Sequence, residues 1–238
     1  HIPPAAEHGM VLGPDWLRSR SGKYLVVSNF APTNFTGLHK TLYQAPDTPT
    51  LSFPKAGEVC YDMLEMKRMK VIASRRGVKA PPGSEATTLW QTLEADLRHY
   101  PGKIYAFLPA AIDRVHLEAP PTVSTGADLN YRVAVRDAQG KPIDAGFPLE
   151  VQLRTPRGDL IYEVFRAATP QYRGAYTIPV NTEPGIWRLR VRELISGAWS
   201  EATINVTAGD LPLAKLDERE VWLRDETRIA EFLGRSTK

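Results

Sequence analysis

Leu129-Asn130-Tyr131-Arg132-Val133-Ala134-Val135-Arg136 sends Leu129, Tyr131, Val133 and Val135 to one side and Asn130, Arg132, Ala134 and Arg136 to the other. In an extended chain successive Cβ atoms point to opposite faces, so this period of two is that of a strand with one face on a core and the other in water. The pattern recurs in Leu149-Val151-Leu153, Tyr176-Ile178-Val180, Trp187-Leu189-Val191 and Ala202-Ile204-Val206. Weaker strands are expected at 115–117 and 160–165. Between them stand Gln139-Gly140-Lys141-Pro142, Thr155-Pro156-Arg157-Gly158 and Glu183-Pro184-Gly185. There Pro sets φ and Gly accepts positive φ, so the chain turns. About seven short strands in about 95 residues predict an immunoglobulin-like sandwich, without the cysteine pair of antibody domains.

Working outward, runs rich in branched and aromatic residues at 23–30, 50–53, 58–62 and 103–108 predict a second antiparallel sandwich before Ala110. A polar insertion around 73–93, with Pro81-Pro82-Gly83, interrupts it. After Gly209 the alternation stops; Val221-Trp222-Leu223 reads as a strand, and a helix capped by Asp225 and ended by Gly234 follows it. The expected organisation is all-β: two antiparallel β-sandwich domains in tandem over 1–110 and 111–208, the second immunoglobulin-like, with a short C-terminal strand-helix extension over 209–238. That extension is either a helix docked on a sandwich or the start of a further α/β domain.

Composition agrees with β structure, since 20 prolines and 17 glycines in 238 residues favour turns over long helices. The formal charge of +3 is small. Lys67, Arg68, Lys70, Arg75, Arg76 and Lys79 cluster without interleaved aromatic rings, so they read as a solvated loop and no nucleic-acid partner is expected. No run of about 18 apolar residues is present, so no membrane span is expected. The opening His1-Ile2-Pro3-Pro4 reads as a cut inside a longer protein.

Chemistry is hard to place on this sequence. Asp15, Asp62, Glu65 and Asp96 are scattered, and His8, His39, His99 and His116 lack metal-ligand spacing. Neither a Gly-x-Ser-x-Gly elbow nor a glycine-rich phosphate loop occurs, and Cys60 lies in an apolar strand that should raise its pKa. No catalytic residue, metal or cofactor is expected. Sugar binding on a sandwich uses exposed rings. Trp16 and Trp90, in polar loop-like sequence, and Tyr100, beside a turn, are the carbohydrate-binding candidates, with a lid over the core as the other reading. Trp187 is expected in the core.

Two resemblances sharpen this. Thr125-Gly126-Ala127-Asp128-Leu129, Asp137-Ala138-Gln139-Gly140-Lys141-Pro142, Tyr172-Arg173-Gly174-Ala175-Tyr176 and Pro184-Gly185-Ile186-Trp187 resemble macroglobulin-type and related immunoglobulin-like modules of large bacterial surface and secreted proteins. Gly57-Glu58-Val59-Cys60-Tyr61-Asp62, with Tyr100-Pro101-Gly102-Lys103-Ile104-Tyr105-Ala106-Phe107-Leu108-Pro109, resembles the accessory sandwich that follows catalytic domains in glycoside hydrolases. The resemblances imply non-catalytic accessory modules of a larger secreted bacterial protein, itself glycoside hydrolase-like. Their partners would be neighbouring domains of the same polypeptide, and their location extracellular, periplasmic or at the cell surface. A carbohydrate-binding pair with a polysaccharide partner, and a protein-contacting adhesion or macroglobulin-like module, are the alternatives.

Overall fold

The computed structural model describes residues 12–29, 48–74, 89–98 and 102–209. These are all-β, with no helix among them. The first part of the chain supplies β1 (Leu12–Ser19), β2 (Gly22–Asn29), β3 (Thr50–Pro54), β4 (Val59–Asp62), β5 (Lys67–Met69), β6 (Ile72–Ser74), β7 (Trp90–Glu94) and β8 (Gly102–Leu108). The second supplies β9 (Arg114–Glu118), β10 (Thr122–Ser124), β11 (Asp128–Arg136), β12 (Phe147–Arg154), β13 (Leu160–Ala168), β14 (Gln171–Thr177), β15 (Gly185–Glu193) and β16 (Trp199–Thr207).

In the first sandwich the sheet β1-β2-β8-β4-β5 faces the sheet β3-β7-β6. Leu25, Val27, Cys60, Tyr105 and Phe107 from one side close on Leu51, Phe53 and Leu93 from the other. The two phrases that resemble a glycoside hydrolase accessory sheet become neighbouring strands, with Val59 opposite Leu108 and Asp62 opposite Tyr105. In the second sandwich β10-β16-β15-β12-β13 faces β14-β11-β9. Its centre is Trp187, fully buried, with its indole N–H donating to the Glu183 carbonyl at 3.2 Å. Leu129, Tyr131, Val133 and Val135 all point inward, as their alternation predicts.

Two expectations are corrected. Residues 72–74 and 90–94 form strands β6 and β7 where the sequence reads as polar insertion; Leu93, opposite Leu51, supplies the inward face, and Trp90, of opposite parity, is buried outside that cluster. The run Tyr176-Ile178-Val180 ends early: β14 stops at Thr177, Pro179 has no N–H for the ladder, and Val180 is exposed. β10 pairs with β16 in parallel, within otherwise antiparallel sheets. The two sandwiches share apolar packing, because the buried cluster of the second continues into Tyr61, Ala106 and Leu108 of the first. The expected C-terminal strand and helix lie outside the described residues.

Candidate functional site, the joint between the sandwiches and the exposed faces

The continuity of the core follows from strand parity. On β4 and β8, Cys60, Tyr105 and Phe107 face the first core, so Tyr61, Ala106 and Leu108 must face the other way. That second face is covered by the immunoglobulin-like domain, whose buried Ile143, Ala145 and Ile195 belong to the same cluster. Fully burying side chains such as Tyr61 and Leu108 contributes about 1.5–3 kcal/mol each.

Hydrogen bonds fix the angle of this joint. The Tyr61 hydroxyl accepts from the Ile112 N–H at 3.0 Å, at the point where the chain crosses between the sandwiches. The Tyr24 hydroxyl donates to the Gly146 carbonyl, and Ser21 N–H donates to the Asp144 carbonyl at 3.1 Å. Arg20 pairs with Asp144 at 3.0 Å, both half exposed. The Ser21 hydroxyl and then the Arg20 guanidinium hold the Asp144 carboxyl below its ordinary range. Small residues permit the approach: a Cβ at Gly22 would stand 2.8 Å from the Ala145 Cβ, and one at Gly146 would collide with Ser19.

Two turns meet on the same side, each pinned by a buried carboxylate. In the first sandwich Asp62 accepts from the N–H groups of Leu64 (3.0 Å) and Glu65 (3.2 Å) and from Lys103 Nζ (2.7 Å), and Glu65 also accepts from Nζ at 2.9 Å. Burial would lower the Lys103 pKa, but its hydrogen bonds and the charges of Asp62 and Glu65 outweigh that and raise it. In the second sandwich Glu193, fully buried, accepts from the N–H groups of Ile195 (2.8 Å), Ser196 (2.8 Å) and Ala198 (3.1 Å). The turns touch where Arg192 approaches the Met66 sulfur at 3.0 Å, beside Gly197, whose φ of 80° suits glycine. Burial, followed by the nearby Glu193 charge, pushes the Tyr24 hydroxyl up to about 12.

The scattered carboxylates therefore include one pair that the fold brings together, Asp62 with Glu65, but around an ammonium that satisfies them. Among the described residues no group of three or more His, Cys, Asp or Glu side chains could hold a metal ion. Cys60 is fully buried, and its thiol is pushed up by burial and then by the Asp62 charge. No helix among the described residues is long and apolar enough to cross a membrane.

The carbohydrate-binding candidates separate. Trp16 lies on β1, its ring 5.5 Å from Phe53 and 5.7 Å from Phe107, so one edge closes the first core while 37% of the residue stays exposed. Trp90 is 8% exposed, which leaves no ring face for a sugar. Tyr100 lies outside the described residues. The ring that sequence reasoning missed is Trp199, 55% exposed on β16 with the Arg190 guanidinium 4.4 Å from its centroid. Parity could have found it, because Ile204 and Val206 point inward and residue 199 has the opposite parity to both.

No protein-family profile and no curated protein sequence matches this chain. Among solved structures it is similar to a CARDB domain from Pyrococcus furiosus, at 14% identity over 40% of this chain and 86% of that one, TM-score 0.28. It is also similar to the PKD domain of an M14-like peptidase from a Thermoplasmatales archaeon, at 13% identity over 41% of this chain and 99% of that one, TM-score 0.27. A β-glucosidase from Listeria innocua in complex with glucose matches at 16% identity over 41% of this chain and 16% of that one, TM-score 0.28.

Proposed function

We propose that this chain is a non-catalytic accessory unit of a larger secreted bacterial protein, placed outside the cytoplasm or at the cell surface. Its two sandwiches form one stiff spacer that sets the position of a neighbouring glycoside hydrolase-like domain. The observation that carries the reading is the buried cluster running from Tyr61, Ala106 and Leu108 into Ile143, Ala145 and Ile195. Independent modules joined by a flexible linker bury little at their contact, whereas a shared apolar core removes the freedom of one domain to swing on the other.

The test is an interdomain distance. Spin labels at Arg68→Cys and Asp159→Cys, both exposed and one on each sandwich, are expected to give a single narrow distance distribution by electron-electron resonance. The buried Cys60 should stay unlabelled. A broad distribution would sink the spacer reading.

The protein-contacting reading is favoured by a separate observation. Ile161, Phe165, Ile186 and Trp199, all more than a third exposed, share the outer face of the five-stranded sheet of the second sandwich. On this reading they supply the face on which a neighbouring domain docks.

A further inference from the structure

The outer face of the other sheet, β14-β11-β9, is of a different kind. All its cations are arginines: Arg114 on β9, Arg132 and Arg136 on β11, and Arg173 on β14. The register sets Arg173 directly opposite Arg132, and Arg114 directly opposite Arg136. Like charges opposed across an antiparallel pair reduce stability; on its other side Arg132 faces Glu118 of β9, and Arg114 is paired with Asp113 at 2.7 Å. Among the described residues neither Arg132 nor Arg173 forms an ion pair; Glu118, beside Arg132, is engaged by His116 at 2.8 Å. The buried Nε of Arg136 has no hydrogen-bond partner, and its Nη1 donates to the Gly140 carbonyl at 3.1 Å.

A notch opens beside these side chains. β9 ends at Glu118, and the chain leaves through Pro120 and Pro121 to join the opposite sheet as β10. The β9 ladder therefore stops at Arg132, and β11 continues back to Asp128 without it. The resulting depression, about 450 Å³, is lined by Glu118, Pro120, Asn130, Arg132, Arg173 and Gly174 among others.

We infer that this face binds an acidic polysaccharide, a chain of uronate residues. Arg132 and Arg173 would grip one carboxylate in the notch; Arg136 lies four residues or about 13 Å along β11, beside Arg114, which Asp113 already holds at 2.7 Å. Three features select this occupant. Guanidinium forks match carboxylates bidentately, and every cation here is an arginine. None of the exposed large apolar side chains lies on β9, β11 or β14, so the apolar centre of a protein interface is missing. The tyrosines of these strands alternate inward, Tyr131 buried and Tyr172 packed against it at 6.0 Å, which leaves no outward ring on which a nucleic-acid base would stack. Asn130 and Gln171 add neutral groups for hydroxyls. The inference does not depend on the spacer reading.

Isothermal titration of the 238-residue chain with polygalacturonate, with neutral galactan and a DNA duplex in parallel, tests it. Saturable binding to polygalacturonate alone is expected at about 0.15 M salt, where exposed charges beyond about 8 Å are screened. Arg132→Gln and Arg173→Gln should each weaken it by about tenfold or more, the loss of a charge-assisted hydrogen bond. Arg173→Lys, which keeps the charge but not the fork, should weaken it less. Unchanged thermal melts would show the variants folded, as their exposure predicts. Absence of saturable binding, equal binding in the glutamine variants, a lysine variant as tight as the native chain, or equal binding of DNA would each overturn the inference.

Discussion

Tyr24 shows how a single side chain reports on the joint. Its hydroxyl donates to Gly146 across the boundary, and burial and the Glu193 charge hold its pKa near 12 against an ordinary 10. A raised phenol pKa means that the folded chain keeps a proton which the unfolded chain releases. Tyr24 therefore contributes a stability that is complete below pH 10 and is lost as pH rises toward 12. Tyr24→Phe should cost about 1 kcal/mol at neutral pH, the loss of one hydrogen bond with its acceptor left behind. It should also flatten the alkaline fall in urea-derived stability between pH 10 and 12. An unchanged alkaline slope in the variant would show that Tyr24 is not the group responsible.

At the scale of elements, the β15–β16 turn depends on Glu193 more than on its own residues. Residues 194–198 must reverse the chain and also present Ile195 to the joint, which leaves backbone N–H groups pointing inward. The carboxylate collects those of Ile195, Ser196 and Ala198. Removing it leaves several buried donors unsatisfied, so Glu193→Ala should destabilise the chain by about 3 kcal/mol in chemical denaturation. Glu193→Gln, which keeps the shape and acceptor oxygen, should lose less. Equal losses would mean that the site is governed by volume and not by hydrogen bonding. In the first sandwich, the short edge strand β5 ends its sheet with Lys67 and Arg68 exposed, a pattern that discourages edge pairing and gives part of the basic cluster a structural role.

For the molecule as a whole, the shared core predicts that the sandwiches unfold together. Gly146 lies where a Cβ would run into Ser19, and Gly22 packs on Ala145. Gly146→Leu should force the sandwiches apart while leaving each internal core intact. Differential scanning calorimetry is expected to show one transition for the native chain and two for this variant. Two transitions already present in the native chain would mean that the joint contributes little cooperativity.

The alternation of Leu129 to Val135, the Pro and Gly turns and the run Trp187-Leu189-Val191 were enough to determine the β character of residues 114–207 and the inward face of this immunoglobulin-like part, because parity is a local property of an extended backbone. Cys60 and Trp187 were legible for the same reason. What parity cannot say is what covers the second face of a sheet. Tyr61, Ala106 and Leu108 read as outward residues of one sandwich, and only the packing of the other makes them core. Trp90 sits in polar sequence and is nonetheless buried, in a strand whose neighbours β3, with Pro54 opposite it, and β6 come from other segments. The opposed pairs Arg132 with Arg173 and Arg136 with Arg114 likewise exist only once register is set between strands far apart in the chain. Local pattern determined which residues could form a core; nonlocal register and domain contact decided which faces were closed and which charges were brought together.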